Sequence, residues 1–205
     1  MLHQVMANVP LTGIGSEQEH YELADSDSWR NKWLYVRASF DYPITFYQQQ
    51  SNKNLTVDPF AAATVGIEFH YLNWMSTEIN FNISFKDPII NDFLPSIQLQ
   101  QKFPIKPAGH FMIEPYAALS FPINTSSSVE QFPIVGLGGG CQFGFKGWNL
   151  GAFFVDINYT HFLGNVVVKE TVFSLPDPID IDIKYSRFVV GLGIGYKIGF
   201  FNRPR

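Results

Sequence analysis

Apolar and polar residues alternate along most of this chain with a period of two, the pattern of a β-strand whose two faces meet chemically different surroundings. From Phe188 the even positions are Phe188, Val190, Leu192, Ile194, Tyr196, Ile198 and Phe200, and the odd positions from Arg187 are Arg187, Val189, Gly191, Gly193, Gly195, Lys197 and Gly199. One face is greasy; the other is small or charged. The same rule predicts strands over 33–46, 60–72, 77–86, 96–105, 110–123, 135–146 and 152–163, which with the last segment makes eight. Their apolar faces carry residues such as Phe40, Val65, Phe81, Leu99, Leu119, Phe143 and Ile157, opposed by Arg37, Thr64, Asn80, Gln98, Ser120, Gln142 and Asp156. Gln101 is a misfit on the apolar side of its strand.

The connections carry a second regularity. Long segments (47–59, 87–95, 124–134 and 164–186) alternate with short ones (73–76, 106–109 and 147–151). An even-stranded up-and-down barrel with one trimmed and one elaborated rim has this rhythm, and it puts both termini on the short-turn side. Trp29, Trp33, Trp74 and Trp148 all map to that side, as an aromatic belt at a membrane interface would. Pro43, Pro104, Pro122 and Pro133 fall near predicted strand ends, where a missing ladder donor is tolerated. Phe132 and Ile134 are out of phase with the strand after them, which predicts a bulge near Pro133. In the longest connection, Val166, Val167 and Val168 and then Ile179, Ile181 and Ile183 flank Pro176-Asp177-Pro178. The last two strands are therefore expected to continue beyond the barrel to a proline-containing turn, with Asp177, Asp180 and Asp182 on a solvated hairpin.

Composition explains what the alternation is for. Of 205 residues, 46% are hydrophobic and 16% aromatic, while only 16% are charged, against roughly 25% in a soluble domain. Disorder and coiled coil are excluded. A net charge of −4 with no Lys/Arg cluster removes the footprint of a nucleic-acid binder. The lone Cys141 excludes an internal disulfide and a cysteine-based zinc site. No run approaches the 20 or so apolar residues of a membrane helix. The opening segment MLHQVMANVPLTGIG has neither the basic n-region nor the apolar h-region of a secretory signal.

A soluble, lipocalin-like barrel binding an apolar ligand inside would also alternate, but its outer face would carry many Lys and Glu. Here the polar face holds Gly, Ser, Thr, Asn and Gln with a few charges, which suits a narrow filled lumen, and the nearly uncharged apolar face suits lipid. The fold class expected is all-β, a single transmembrane up-and-down barrel. Residues 32–201 resemble the eight-stranded outer-membrane barrels of the OmpA, OmpX and OmpW kind. The stretch from Gly191 to Phe201 resembles their C-terminal strand, whose aromatic ending is read by the barrel assembly machinery; Tyr196, Phe200 and Phe201 are the residues concerned, and Asn202-Arg-Pro-Arg205 after them departs from the pattern. The resemblance implies the outer membrane of a diderm bacterium, contact with its lipid and lipopolysaccharide, and a monomeric barrel. It also implies a structural or narrow-pore role for small solutes, with loops facing the environment or host molecules. Residues 1–31 are expected to form a polar arm and 202–205 a short tail.

Candidate chemistry concentrates on the inward face. Arg37, Asp41, Glu68, Glu78, Lys86, Lys102, Glu114, Lys146, Asp156, Arg187 and Lys197 project into the lumen on this model, and mixed signs allow pairing where a lone charge would be costly. Arg37 and Arg187 are expected to be neighbours after closure, partnered by Glu68, Glu114 and Asp156. The network is either a plug or a gate. The runs Gly136-Leu-Gly-Gly-Gly140 and Gly191-Leu-Gly-Ile-Gly195 lack a following helix and a Gly-Lys-Ser/Thr, so they read as space left for bulkier lumen side chains and not as nucleotide loops. His161 lies on the apolar face; barrel-embedded lipid A deacylases resemble this, but they place a Ser two residues later where Leu163 stands. His3, His20, His70 and His110 are too scattered by spacing for a metal cluster. No enzyme, metal or cofactor is expected.

Overall fold

The computed structural model describes residues 32–51, 55–85, 93–105, 111–125, 129–146, 151–173 and 178–202, with the side chains of Asp58 and 170–180 left aside. No helix among them is long and apolar enough to cross a membrane. They form β1 (Lys32–Gln49), β2 (Leu55–Pro59), β3 (Ala62–Leu72), β4 (Met75–Ser84), β5 (Leu94–Lys102), β6 (Phe111–Pro122), β7 (Val129–Gln131), β8 (Val135–Lys146), β9 (Gly151–Phe173) and β10 (Pro178–Asn202). All pairings are antiparallel, and β10 pairs with both β9 and β1, so the sheet closes on itself. The lipid phase demands this, because a closed barrel pairs every wall N–H and C=O without an exposed edge.

Eight walls are made from ten strands because two walls are interrupted. β1 pairs with β3 from Leu34 to Asp41 and with β2 from Ile44 to Gln48, so β2 and β3 are one wall broken at Phe60 and Ala61. Pro43 sits opposite the break, inside β1 and not at its end as expected; there a residue lacking an N–H loses little. β7 and β8 likewise share β9 as neighbour, and residues 132–134 leave the ladder altogether. That interruption, and not a bulge at Pro133, resets the phase of Phe132 and Ile134. The arms of β9 and β10 stay paired as far as Phe173 and Pro178, well beyond the barrel, as the valine and isoleucine runs predict.

The faces divide as the alternation requires. Phe40, Val65 and Ile194 are 66%, 56% and 60% exposed on the outside, whereas Arg37, Glu68, Lys102, Glu114 and Lys197 are buried inside. Among the described residues the charged and polar side chains point inward and the apolar ones outward, the reverse of a lipocalin-like barrel. Gln101 is satisfied where it stands: its Nε2 donates to the Tyr71 hydroxyl at 2.8 Å and to the Ser76 carbonyl at 2.9 Å, and its Oε1 accepts from Thr77 at 3.0 Å. Trp33 and Trp74 are exposed at the short-turn end, and Trp33 stacks on Phe201 with ring centroids 5.6 Å apart. Trp29 and Trp148 lie outside the described residues. At the other margin Phe46 stacks on Phe188 at 4.5 Å. These two aromatic levels bracket the apolar band.

Val65 lies between those levels, so Val65→Arg should lower stability by about 2–4 kcal/mol, the cost of a cation at mid-bilayer on the lipid face. Urea titration of the protein folded into vesicles measures it; a change within experimental error would mean that this face does not meet hydrocarbon.

Candidate functional site

A strand with period two sends every second side chain into a lumen too narrow to hold bulk water, so inward charges must find partners across it. They do so in one continuous chain. Asp156 Oδ2 lies 3.5 Å from Arg37 Nη2, Arg37 Nη1 lies 3.4 Å from Glu78 Oε1, and Glu78 pairs in turn with Lys102. Lys102 Nζ lies 3.3 Å from Glu68 Oε2, Lys197 Nζ lies 3.2 Å from the same oxygen, and Lys197 pairs with Glu114. The signs alternate along these seven residues. Lys102 also donates to Gln142 Oε1 at 2.9 Å, and the Tyr116 hydroxyl donates to Asp156 Oδ1 at 2.9 Å. β1, β3, β4, β5, β6, β8, β9 and β10 each contribute a member, so all eight walls are tied together through the middle of the lumen.

Ring faces complete the packing. Arg37 lies over Phe154 at 4.5 Å and Lys197 over Tyr35 at 5.2 Å, attractions of about 0.5–2 kcal/mol each. Glycines make the room: a Cβ on Gly140 would sit 2.6 Å from the Tyr116 hydroxyl, and one on Gly195 would sit 2.5 Å from the Phe154 ring. Gly136, Gly140 and Gly195 are spacers for aromatic residues on the inward face, whereas Gly138, Gly191 and Gly193 leave room for Thr160, Asn158 and Asp41.

Of the expected lumen residues, Arg37, Glu68, Lys102, Glu114, Asp156 and Lys197 meet in this chain. Asp41 is a neighbour but not a link, accepting hydrogen bonds from Ser39 at 3.3 Å and from Thr64. Lys146 is exposed at the short-turn rim, and Lys86 lies outside the described residues. Arg37 and Arg187 are not neighbours. β1 and β10 pair Arg37 with Lys197 and Tyr47 with Arg187, so the two arginines stand ten residues apart along the wall. Glu68, Glu114 and Asp156 are engaged by Lys102, Lys197 and Arg37, while Arg187 lies 4.3 Å over the Phe162 ring, with the Tyr47 and Phe132 rings at 5.7 and 5.8 Å.

Sequence spacing missed Glu78 as the partner of Arg37, and it dismissed His70. His70 Nε2 lies 2.5 Å from Glu68 Oε1, and the ring packs on Tyr35 at 4.7 Å. Glu68, His70 and Glu114 bring ligand-capable atoms within 4.8 Å of one another, so the histidine is not scattered in space. Lys102 and Lys197 already hold those carboxylates, and a metal ion would have to displace them. The residues His3, His20 and His110 lie outside the described set. His161 is exposed on the lipid face of β9, between Leu137 and Phe188 in the ladder, and Leu163 follows on the same face. Tyr196 and Phe200 face outward on the last strand, and Phe201 at its end takes a positive φ of 55°.

This closed, eight-walled, outward-apolar barrel with a charged lumen has the fold of the eight-stranded outer-membrane barrels. Two solved structures carry the comparison. Neisserial surface protein A aligns with a TM-score of 0.55 and 14% identity over 82% of this chain and 97% of its own. The outer membrane protein OprG of Pseudomonas aeruginosa aligns with a TM-score of 0.53 and 12% identity over 85% of this chain and all of its own, 100%. No protein-family model matches the chain, and no curated protein does.

Removing one partner of a buried pair leaves the others unpaired. Glu68 holds two lysines, so Glu68→Ala should lower stability by about 3–5 kcal/mol. Thermal unfolding followed by the gel shift of the folded barrel reads this; an unchanged midpoint would show that Glu68 is not buried among cations.

Proposed function

We propose that this is an integral outer-membrane protein, non-enzymatic, whose lumen is a narrow path for small solutes, normally closed by the ion-pair chain. One observation carries the reading: every internal member of the chain has two partners of opposite sign. Arg37 sits between Asp156 and Glu78, Lys102 between Glu78 and Glu68, Glu68 between Lys102 and Lys197, and Lys197 between Glu68 and Glu114. A pair can therefore break on one side while its members stay neutralised on the other. Opening by exchange avoids the several kcal/mol of stranding a bare ion. On this reading the long-loop end faces outward, amid lipopolysaccharide, and the arms of β9 and β10 stand in reach of environmental or host molecules. The last strand, with Tyr196, Phe200 and Phe201, is the element offered to the barrel assembly machinery.

Glu78→Gln removes one link between Arg37 and Lys102. In planar bilayers the native barrel should show rare, small openings, and the variant should raise the open fraction more than tenfold, the factor produced by about 1.4 kcal/mol of lost closed-state stability. Conductance at the protein-free background in both would end the pore reading and leave a structural barrel.

A further inference from the structure

On the long-loop side of the ion-pair chain the lumen opens into a cavity of about 100 Å3. Its floor is Arg37, Asp41 and Asp156, all committed to partners already described. Asp156 takes the Arg37 guanidinium, the Tyr116 hydroxyl and the Asn158 amide, the last at 3.3 Å. What the walls offer a guest is neutral: the hydroxyls of Ser84, Ser96, Ser120 and Thr160 and the amides of Asn82 and Gln98. The roof is apolar and cationic. Phe60, Leu94 and Phe162 line it beside Arg187, and above them Tyr47, Val129 and Val166 are buried together with Leu94.

The roof differs from the floor in how it is held. Three rings surround the Arg187 guanidinium, from β1 (Tyr47), from β9 (Phe162) and from the β7–β8 connection (Phe132). Arg187 also marks an irregularity in the wall: the register shifts between Ser186 and Phe188, so that Phe162, Leu163 and Gly164 oppose it alone, and Gly164 takes φ 105°. Below this point β9 is clamped between β8 and β10; above it β9 still pairs with β7 at Val167 and Val168, and β10 with β1 as far as Tyr185, before the arms leave the barrel. The backbones of Phe162 and Arg187 are held in the ladders opposite Gly136 and Tyr47, so a rotation of the Arg187 side chain out from among the rings would open the roof without touching the ion pairs below.

We propose that the lumen is a chamber between two gates, the ion-pair chain inside and the Arg187 roof outside, which holds one small, neutral, polar solute in transit. The size follows from the volume, somewhat below the engineered cavity of about 150 Å3 that admits benzene. The class follows from walls of hydroxyls and amides beside charges that ion pairs, hydroxyl hydrogen bonds or ring faces already engage. The passage step rests on the pore reading above; the outer gate does not, and it is tested by itself.

The probe is Ser120→Cys, at a buried position lining the cavity, in a Cys141→Ser background, with the full chain in lipid nanodiscs and a water-soluble methanethiosulfonate reagent. With the native roof, labelling should be slow. Arg187→Ala should speed it at least tenfold, and so should Phe162→Leu, which keeps bulk but removes the ring, while Lys146→Ala, at the exposed short-turn rim, should not. Gel migration of the folded barrel checks that each variant has folded. Rapid labelling with the native roof, or equal rates in all three, would overturn the outer gate. For the solute, liposomes holding the Arg187→Ala, Glu78→Gln double variant should swell faster in glycerol or urea than in salts of similar-sized ions. Equal entry of both would overturn the neutral class. Absence of swelling in every solute would sink the pore reading and passage with it, while the labelling rates still decide the roof.

Discussion

Charges inside a barrel walled by hydrocarbon have almost no water to turn to, and the structure is organised around that scarcity. Transfer of one ammonium or carboxylate into such surroundings costs several kcal/mol unless an opposite charge and hydrogen bonds meet it. Here the answer is a single alternating chain from Asp156 to Glu114, with one member from each of seven walls and the eighth tied in through Gln142. Because Glu68 is gripped from β5 and β10 at once, the pairs also act as struts across the lumen. They set which strands face one another, and so they bind closure of the sheet and closure of the passage into one feature. The glycines opposite Tyr116 and Phe154 are the counterpart of this, since a filled cross-section needs empty positions as much as bulky ones.

The walls and their two faces were legible in the alternation because a period of two is local: each residue declares its side without reference to any other strand. Partners were not legible, because they depend on the stagger at closure. Nothing in the composition of β1 or β10 says that Arg37 meets Lys197; with a different stagger Arg187 would have stood beside it. The same blindness set Glu68, Glu114 and Asp156 as partners for Arg187 and overlooked Glu78. His70 shows the matching failure for spacing. It stands two residues from Glu68 and dozens from Glu114, yet one strand's pleat and the barrel's curvature bring all three together.

One signal was present and unread. Tyr35, Tyr47, Tyr116, Phe154 and Phe162 all sit in the polar register of their strands, and all five are buried. An aromatic residue on the inward face of a small barrel has no lipid to meet, so it must be stacked under a cation or hydrogen-bonded to a carboxylate. Four of the five meet Arg37, Arg187 or Lys197 by their rings, and Tyr116 meets Asp156 by its hydroxyl. Inward aromatics in such sequences therefore mark where cations will be, and they do so without knowledge of the register.

Two closures built from different physics respond to different disturbances. In the proposed pore the ion-pair chain opens by exchange among partners that are already present, so it is sensitive to anything that removes or adds a charge at that level. The roof over the cavity rests on ring faces around Arg187 and on apolar burial, at a level of the wall separate from the ion pairs. Placed in series, gates that open independently leave the path clear only for the product of their open fractions. If each is open about one hundredth of the time, the population scale of a minor state a few kcal/mol up, the path is clear about one ten-thousandth of the time. In the proposed pore, tight closure at rest thus comes from the separation of an ionic gate from an apolar one.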